Sequence, residues 1–241
     1  MRVSLFVTCL VDQLWPEVGV AAVEVLRRVG CEVGFEPGQT CCGQPAFNSG
    51  YRAQARQVAQ AFVETFERSA CDAIVAPSGS CAAMVHHMGE LFGDAPEWRE
   101  RARALDAKTW ELGAFLVDVL GIDDVGARFE GRVTWHDACH GLRDLGIREG
   151  PRRLLGKVRG VELVEAPGAD SCCGFGGTFS VKYPEISVAM LDQKLQALEL
   201  RDVDAIASGD VGCLMQIGGR LARRRSPIRA LHLAELLASR A

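Results

Sequence analysis

The chain has 241 residues, 48% of them apolar, and a net charge of −4, which suffices for one large or two small cores and carries no basic excess for a nucleic-acid partner. No run approaches the roughly 18 uncharged apolar residues of a membrane-spanning helix, because Glu24, Glu64 and Glu67 interrupt the candidates. Residues 1–11 are apolar but Asp12 cuts them short and no small-residue cleavage site follows, so a secretory leader is not expected and the protein reads as cytoplasmic.

In chain order, the first half opens with a predicted strand over 3–8. A helix follows over 17–29, with Val18, Ala21, Ala22, Val25, Leu26 and Val29 at helical spacing. Next come a strand over 32–36, a helix over 52–68 with Ala55, Val58, Ala59, Phe62 and Phe66 on one face, and a strand over 73–76. Residues 93–130 read as helical linker punctuated by Pro96 and Gly121. The second half repeats the order: strands over 132–135, 161–165 and 205–207, and helices over 150–158 and 184–200. Strands alternating with crossover helices imply an α/β fold. We expect two homologous lobes, 1–92 and 131–241, each with a small parallel sheet.

The duplication is plainest in the cysteines. Cys41-Cys42-Gly43 and Cys172-Cys173-Gly174 lie 131 residues apart. Upstream, 31 residues separate Cys9 from Cys41 and 32 separate Cys139 from Cys172; downstream, 38 separate Cys42 from Cys81 and 39 separate Cys173 from Cys213. The stretches 72–81 and 204–213 both begin Asp-Ala-Ile and end in Cys, and Pro-Gly precedes each triplet at 37–38 and 167–168. Each of the eight repeated cysteines follows the carboxyl end of a predicted strand. Parallel strands end on one edge, so three distant loops can converge there on one ligand.

In a reducing compartment such cysteines are ligands, catalysts or buried thiols rather than disulfides. Thiolates suit zinc and iron-sulfur groups alike. Structural zinc usually draws on Cys-x2-Cys knuckles, which are absent here; directly adjacent thiolates aim differently and suit separate irons of a cluster, with Gly43 or Gly174 permitting the tight backbone. The metal ligands expected are therefore Cys9, Cys41, Cys42 and Cys81 in one lobe and Cys139, Cys172, Cys173 and Cys213 in the other. A thiol-disulfide enzyme and a structural zinc protein remain the competing classes.

This pattern of Cys, Cys-Cys-Gly and Cys, written twice, resembles the CCG-domain iron-sulfur proteins, among them the cysteine-rich subunit of heterodisulfide reductase and the iron-sulfur subunit of glycolate oxidase. Those relatives close each motif with Cys-x2-Cys, whereas here the first of these positions is Ser78 or Asp210. Ser-Gly-Ser-Cys-Ala-Ala-Met at 78–84 and His-Asp-Ala-Cys-His-Gly-Leu-Arg at 136–143 are most similar to the lactate-utilisation protein A family. The resemblance implies an electron-transfer component of a multi-protein system oxidising L-lactate to pyruvate, working with companion iron-sulfur proteins. With four thiolates per motif we expect one 4Fe-4S group in each lobe, and Asp210 is a candidate oxygen ligand.

Other residues carry weaker signals. Cys31 and Cys71 lack counterparts in the second lobe and read as buried apolar thiols. His136 and His140 flank Cys139 and suit ligand, proton-relay or plain hydrogen-bonding roles equally. His86 and His87 read as an exposed polar turn, and the run Arg223-Arg224-Arg225 as the solvated end of a helix. Gly174-Phe175-Gly176-Gly177 lacks the spacing of a phosphate loop; its small residues are expected to bring backbone N–H groups close to cluster sulfur.

Overall fold

A computed structural model describes residues 1–199 and 201–240. The chain divides into two units, Met1–Leu112 and Gly113–Ala241. Each contains a four-stranded sheet whose pairings are all parallel.

In the first unit β1 (Arg2–Leu5), β2 (Glu32–Phe35), β3 (Ala73–Ala76) and β4 (Thr109–Glu111) pair in the order β2-β1-β3-β4. β3 is Ala-Ile-Val-Ala, buried at every position, as a central parallel strand covered on both faces must be. The helix Pro16–Arg28 begins on the fixed φ of a proline and ends with Arg27 and Arg28 against its negative dipole end, burying Val18, Ala21, Ala22, Val25 and Leu26. The helix Arg52–Phe66 buries Ala55, Ala59, Phe62, Val63 and Phe66. Phe6 meets Phe62 edge-on at 5.1 Å between ring centroids, and Phe62 lies 4.5 Å from Phe66.

β1 stops at Leu5, short of the predicted 3–8. The Val7 amide donates to the Gln39 side chain at 2.8 Å instead of to a strand, and Thr8, at φ 69°, turns the backbone into the helix Cys9–Leu14.

The second unit repeats the plan with β5 (Arg128–Trp135), β6 (Arg159–Leu163), β7 (Ala205–Ser208) and β8 (Arg229–His232), in the order β6-β5-β7-β8. β5 starts four residues before the predicted 132–135, with a register shift between Arg128 and Gly131. The helices Glu149–Lys157 and Pro184–Glu199 match the predicted ones, and the predicted end at Leu200 lies outside the described residues. The helix Val211–Arg223 ends in the expected basic turn, although Arg224 is not merely solvated: with Arg220 it grips Asp192, at 2.7 and 2.6 Å.

Sequence reading anticipated three strands per lobe, so β4 and β8 are additions. Residues 93–130, read as helical, contain the helix Pro96–Asp106 but also β4 and the start of β5. Among the described residues no helix is long and apolar enough to cross a membrane.

Strand order reverses direction between β1 and β3, and again between β5 and β7. In open parallel sheets that reversal opens a crevice beyond the carboxyl ends of the strands, where ligands bind.

Candidate metal centres

In the first lobe Cys9 opens the helix after β1, Cys41 and Cys42 lie in the loop after β2, and Cys81 sits in the first turn of the helix Gly79–His87 after β3. The sulfurs form a run. Cys9 Sγ is 3.6 Å from Cys41 Sγ, Cys41 is hydrogen-bonded to Cys42, and Cys42 Sγ is 3.5 Å from Cys81 Sγ. These separations far exceed the roughly 2.05 Å of a disulfide, and all ten cysteines are free thiols. The second lobe repeats the run: the Cys172 side chain is hydrogen-bonded to those of Cys139 and Cys173, and Cys173 Sγ lies 3.2 Å from Cys213 Sγ. The structure thus brings all eight repeated cysteines into two groups of four.

The adjacent pairs are aimed by the glycines that follow. Gly43 and Gly174 hold φ of 89° and 81°, the left-handed region that side chains resist, and their amides donate to Cys41 Sγ at 3.4 Å and Cys172 Sγ at 3.3 Å. At Gly174 a Cβ would collide with the Ser187 carbonyl. Of the glycine-rich loop at 174–177, the amides of Gly174 and Phe175 reach sulfur. The Gly176 carbonyl instead accepts from the Phe179 amide, placing that residue in the turn.

Ser78 and Asp210 are helix N-caps. Ser78 Oγ accepts from the Cys81 amide at 3.3 Å, and Asp210 Oδ1 from the Gly212 amide at 3.0 Å. Each cap fixes the first turn of the helix bearing the last cysteine of its site.

The thiols do not ionise alike. Cys41 is held well below the ordinary thiol range by its hydrogen bonds with Cys42 and Cys9, and Cys172 by those with Cys139 and Cys173. The same bonds, with burial, push up Cys9, Cys42, Cys139 and Cys173. Sulfurs packed this tightly cannot all be thiolates without a cation among them; a bound metal would supply it and release the remaining protons.

Around this shared framework the two sites differ. His136, 1% exposed, lies at the end of β5. Its Nδ1 is 3.3 Å from the Ala169 carbonyl, its Nε2 is buried with no hydrogen-bond partner, and a ring nitrogen lies within 4.8 Å of the Cys173 and Cys213 sulfurs. Burial first, then the charge of Lys194, holds the imidazole down at about 3, so it is neutral. Lys194 is itself buried, with Nζ donating to the carbonyls of Gly168 (2.8 Å), Ala169 (3.0 Å) and Ser171 (3.0 Å) in the loop leading to Cys172. Burial lowers its pKa, while Cys173 and Cys213 act in the opposite direction.

Matching the repeats on Cys9 and Cys139 sets His136 opposite Phe6. At the offset of 132 that joins Cys81 to Cys213, the buried positions Ala55, Ala59, Phe62, Val63 and Phe66 correspond to Ser187, Leu191, Lys194, Leu195 and Leu198. The first lobe therefore has the buried Phe6–Phe62 pair at the positions where the second has His136 and Lys194. Sequence reading weighed His136 and missed Lys194, although a lone lysine among apolar residues on a buried helix face was the available signal.

Elsewhere, Cys31 is buried as expected and its thiol is pushed up by that burial. Cys71, expected to be buried, is only half-buried, and its sulfur accepts from Lys108 Nζ at 3.8 Å. His140 pairs with Asp144 at 2.6 Å, His86 with Asp106 at 3.1 Å and His87 with Glu90 at 2.8 Å, so these three are occupied at the surface.

Comparison with known proteins places this geometry. A family model described as a cysteine-rich domain, CCG, matches the chain twice, over residues 3–86 and 133–218. Lactate utilization protein A of Geobacillus kaustophilus is 51% identical over 240 residues, 100% of each chain, and that of Bacillus subtilis is 49% identical over the same span and coverage. The chain belongs to the lactate utilization protein A family. For fold alone, the crystal structure of a hypothetical protein from Helicobacter pylori superimposes with a TM-score of 0.68 at 10% identity, covering 98% of this chain and 48% of that one. The family member described here thus spans about half of that larger chain.

Proposed function

We propose that each lobe holds one iron-sulfur group of the 4Fe-4S type. Cys9, Cys41, Cys42 and Cys81 would bind it in one lobe, and Cys139, Cys172, Cys173 and Cys213 in the other. The chain would then act as an electron-transfer component of a multi-protein system oxidising L-lactate to pyruvate. The observation that carries this reading is the meeting of four sulfurs from three loops at the carboxyl edge of a sheet, in both lobes alike. The donor chemistry fits a soft-metal group, since thiols, glycine amides aimed at sulfur and one orphaned buried imidazole nitrogen face the second site.

A 4Fe-4S group supplies reversible one-electron chemistry. The chain's own residues do the rest. Gly43 and Gly174 stabilise charge on Cys41 and Cys172, burial of Cys42, Cys81, Cys173 and Cys213 restricts water, and Lys194 offsets negative charge in the second lobe. The names of the full-length relatives support a place in lactate utilisation, and companion proteins would deliver and accept the electrons.

A zinc reading has one observation in its favour: the sulfur separations of 3.2–3.6 Å approach the roughly 3.8 Å edge of a tetrahedron with Zn–S bonds of about 2.3 Å. The adjacency of Cys41 and Cys42, and of Cys172 and Cys173, favours a cluster whose irons divide the pair. Thiol-disulfide exchange would leave half of each four-sulfur group idle. Anaerobic purification with iron, acid-labile sulfide and zinc analysis separates the readings: iron with sulfide is expected, and zinc without sulfide overturns the cluster. For the pathway, deletion of the gene is expected to abolish growth on lactate as sole carbon source while sparing growth on glucose. Unimpaired growth on lactate, with no duplicate gene present, removes that assignment.

A further inference from the structure

The second site has a nitrogen donor that the first lacks. His136 Nδ1 faces the Ala169 carbonyl, which can only accept, so Nδ1 carries the ring proton and Nε2 presents a lone pair. That lone pair is buried and has no hydrogen-bond partner, and the surrounding side chains include Cys173 and Cys213, whose sulfurs lie with the ring nitrogen inside a 4.8 Å span. An orphaned buried acceptor is costly. A metal ion resolves it, and a carbonyl holding the far nitrogen is the usual outer support of a metal-bound histidine. Lys194 adds to that support, because its Nζ donates to the same Ala169 carbonyl and to those of Gly168 and Ser171, fixing the acceptor that orients the ring.

We propose that His136 is a metal ligand of the second site through Nε2, alongside Cys173 and Cys213, whereas Phe6 at the matching position leaves the first site to thiolates alone. The inference rests on the reading that the second site holds an iron-sulfur group. A neutral imidazole brings the second site a nitrogen donor without adding negative charge to its thiolates, so the two sites differ in their ligand sets.

The test uses full-length chain labelled with 15N-histidine, loaded anaerobically with iron and sulfide, reduced and examined by pulsed electron paramagnetic resonance. We expect the strong nitrogen coupling of a metal-bound imidazole in wild type and in His140→Ala. It should be lost in His136→Phe, which installs the residue of the first lobe, and in His136→Gln. Loaded wild type without such a coupling overturns the ligand while leaving the cluster reading intact, and that result needs no variant to fold. If no iron and sulfide are retained, the cluster reading fails, and Co(II) alone titrated into the metal-free chain decides for His136. Hyperfine-shifted resonances of a coordinated histidine that vanish in His136→Phe support the ligand, and their absence from wild type overturns it.

Discussion

Replacing each triplet glycine by alanine separates backbone strain from steric conflict, because the two positions share a conformation but not a neighbourhood. Gly43 and Gly174 stand at φ of 89° and 81°. Alanine in the left-handed region costs about 1–2 kcal/mol. At Gly43 the new methyl would meet Val58 Cγ1 at 3.4 Å and the Ala55 carbonyl at 3.5 Å, ordinary contacts, so the strain stands alone. At Gly174 it would collide with the Ser187 carbonyl and lie 3.4 Å from Met190 Cβ. The helix Pro184–Glu199 must then retreat, pulling the Ser187 hydroxyl from the Gly174 carbonyl it bonds at 2.7 Å. Overpacking of this kind adds about 1–3 kcal/mol, for a total of about 2–5 kcal/mol. Native-state hydrogen exchange of the reduced, metal-free chain, read on peptides of each lobe, measures both costs in one molecule. Equal losses in Gly43→Ala and Gly174→Ala, or a greater loss in the first, would refute the reasoning.

Three further outcomes follow from the same contacts. Arg152 closes on buried Asp137 through two bonds of 2.9 Å, so Arg152→Met strands a buried carboxylate and should cost about 3–5 kcal/mol in urea unfolding of the second lobe. Asp210→Asn keeps an N-cap and should leave metal content unchanged; Asp210→Ala should lose about 1 kcal/mol of stability, and loss of metal from Asp210→Asn would instead make the carboxylate a ligand. For pH, His136 titrates at about 3 when folded and near 6.5 when unfolded. The unfolded chain therefore binds the extra proton between those values, and stability falls as pH drops through that window. The contribution is about 1.4 kcal/mol per pH unit; wild type minus His136→Phe, followed by urea midpoint from pH 4 to 8 in metal-free protein, should show that slope below 6.5 and none above 7.

The fold and the sulfur groupings were legible because they are written as local patterns: apolar periodicity marked the inner strands and the covering helices, and repeated cysteine spacing tied their ends together. β4 and β8 escaped because each is short and partly polar, Thr-Trp-Glu and Arg-Ala-Leu-His, and takes its strand identity from pairing with β3 or β7 rather than from its own alternation. The early end of β1 was hidden in the Gln39 side chain, which takes over the Val7 amide from 32 residues away. The caps at Ser78 and Asp210 could have been read from their place one residue before a helical run, but their match to a cysteine position drew attention to ligation instead. The contrast of His136 and Lys194 with Phe6 and Phe62 depends on which faces meet across a sheet edge. It becomes visible only when the two repeats are laid over each other with their burial.

The central claim is that each lobe holds its own iron-sulfur group. It is tested most directly by iron-to-chain stoichiometry with Mössbauer spectra of anaerobically loaded wild type, Cys42→Ser and Cys173→Ser. The account predicts about eight irons in wild type, in 4Fe-4S environments, and about half that number in either variant, each keeping the spectrum of the untouched lobe. Iron content unaffected by both substitutions, or one substitution emptying the whole chain, would contradict it.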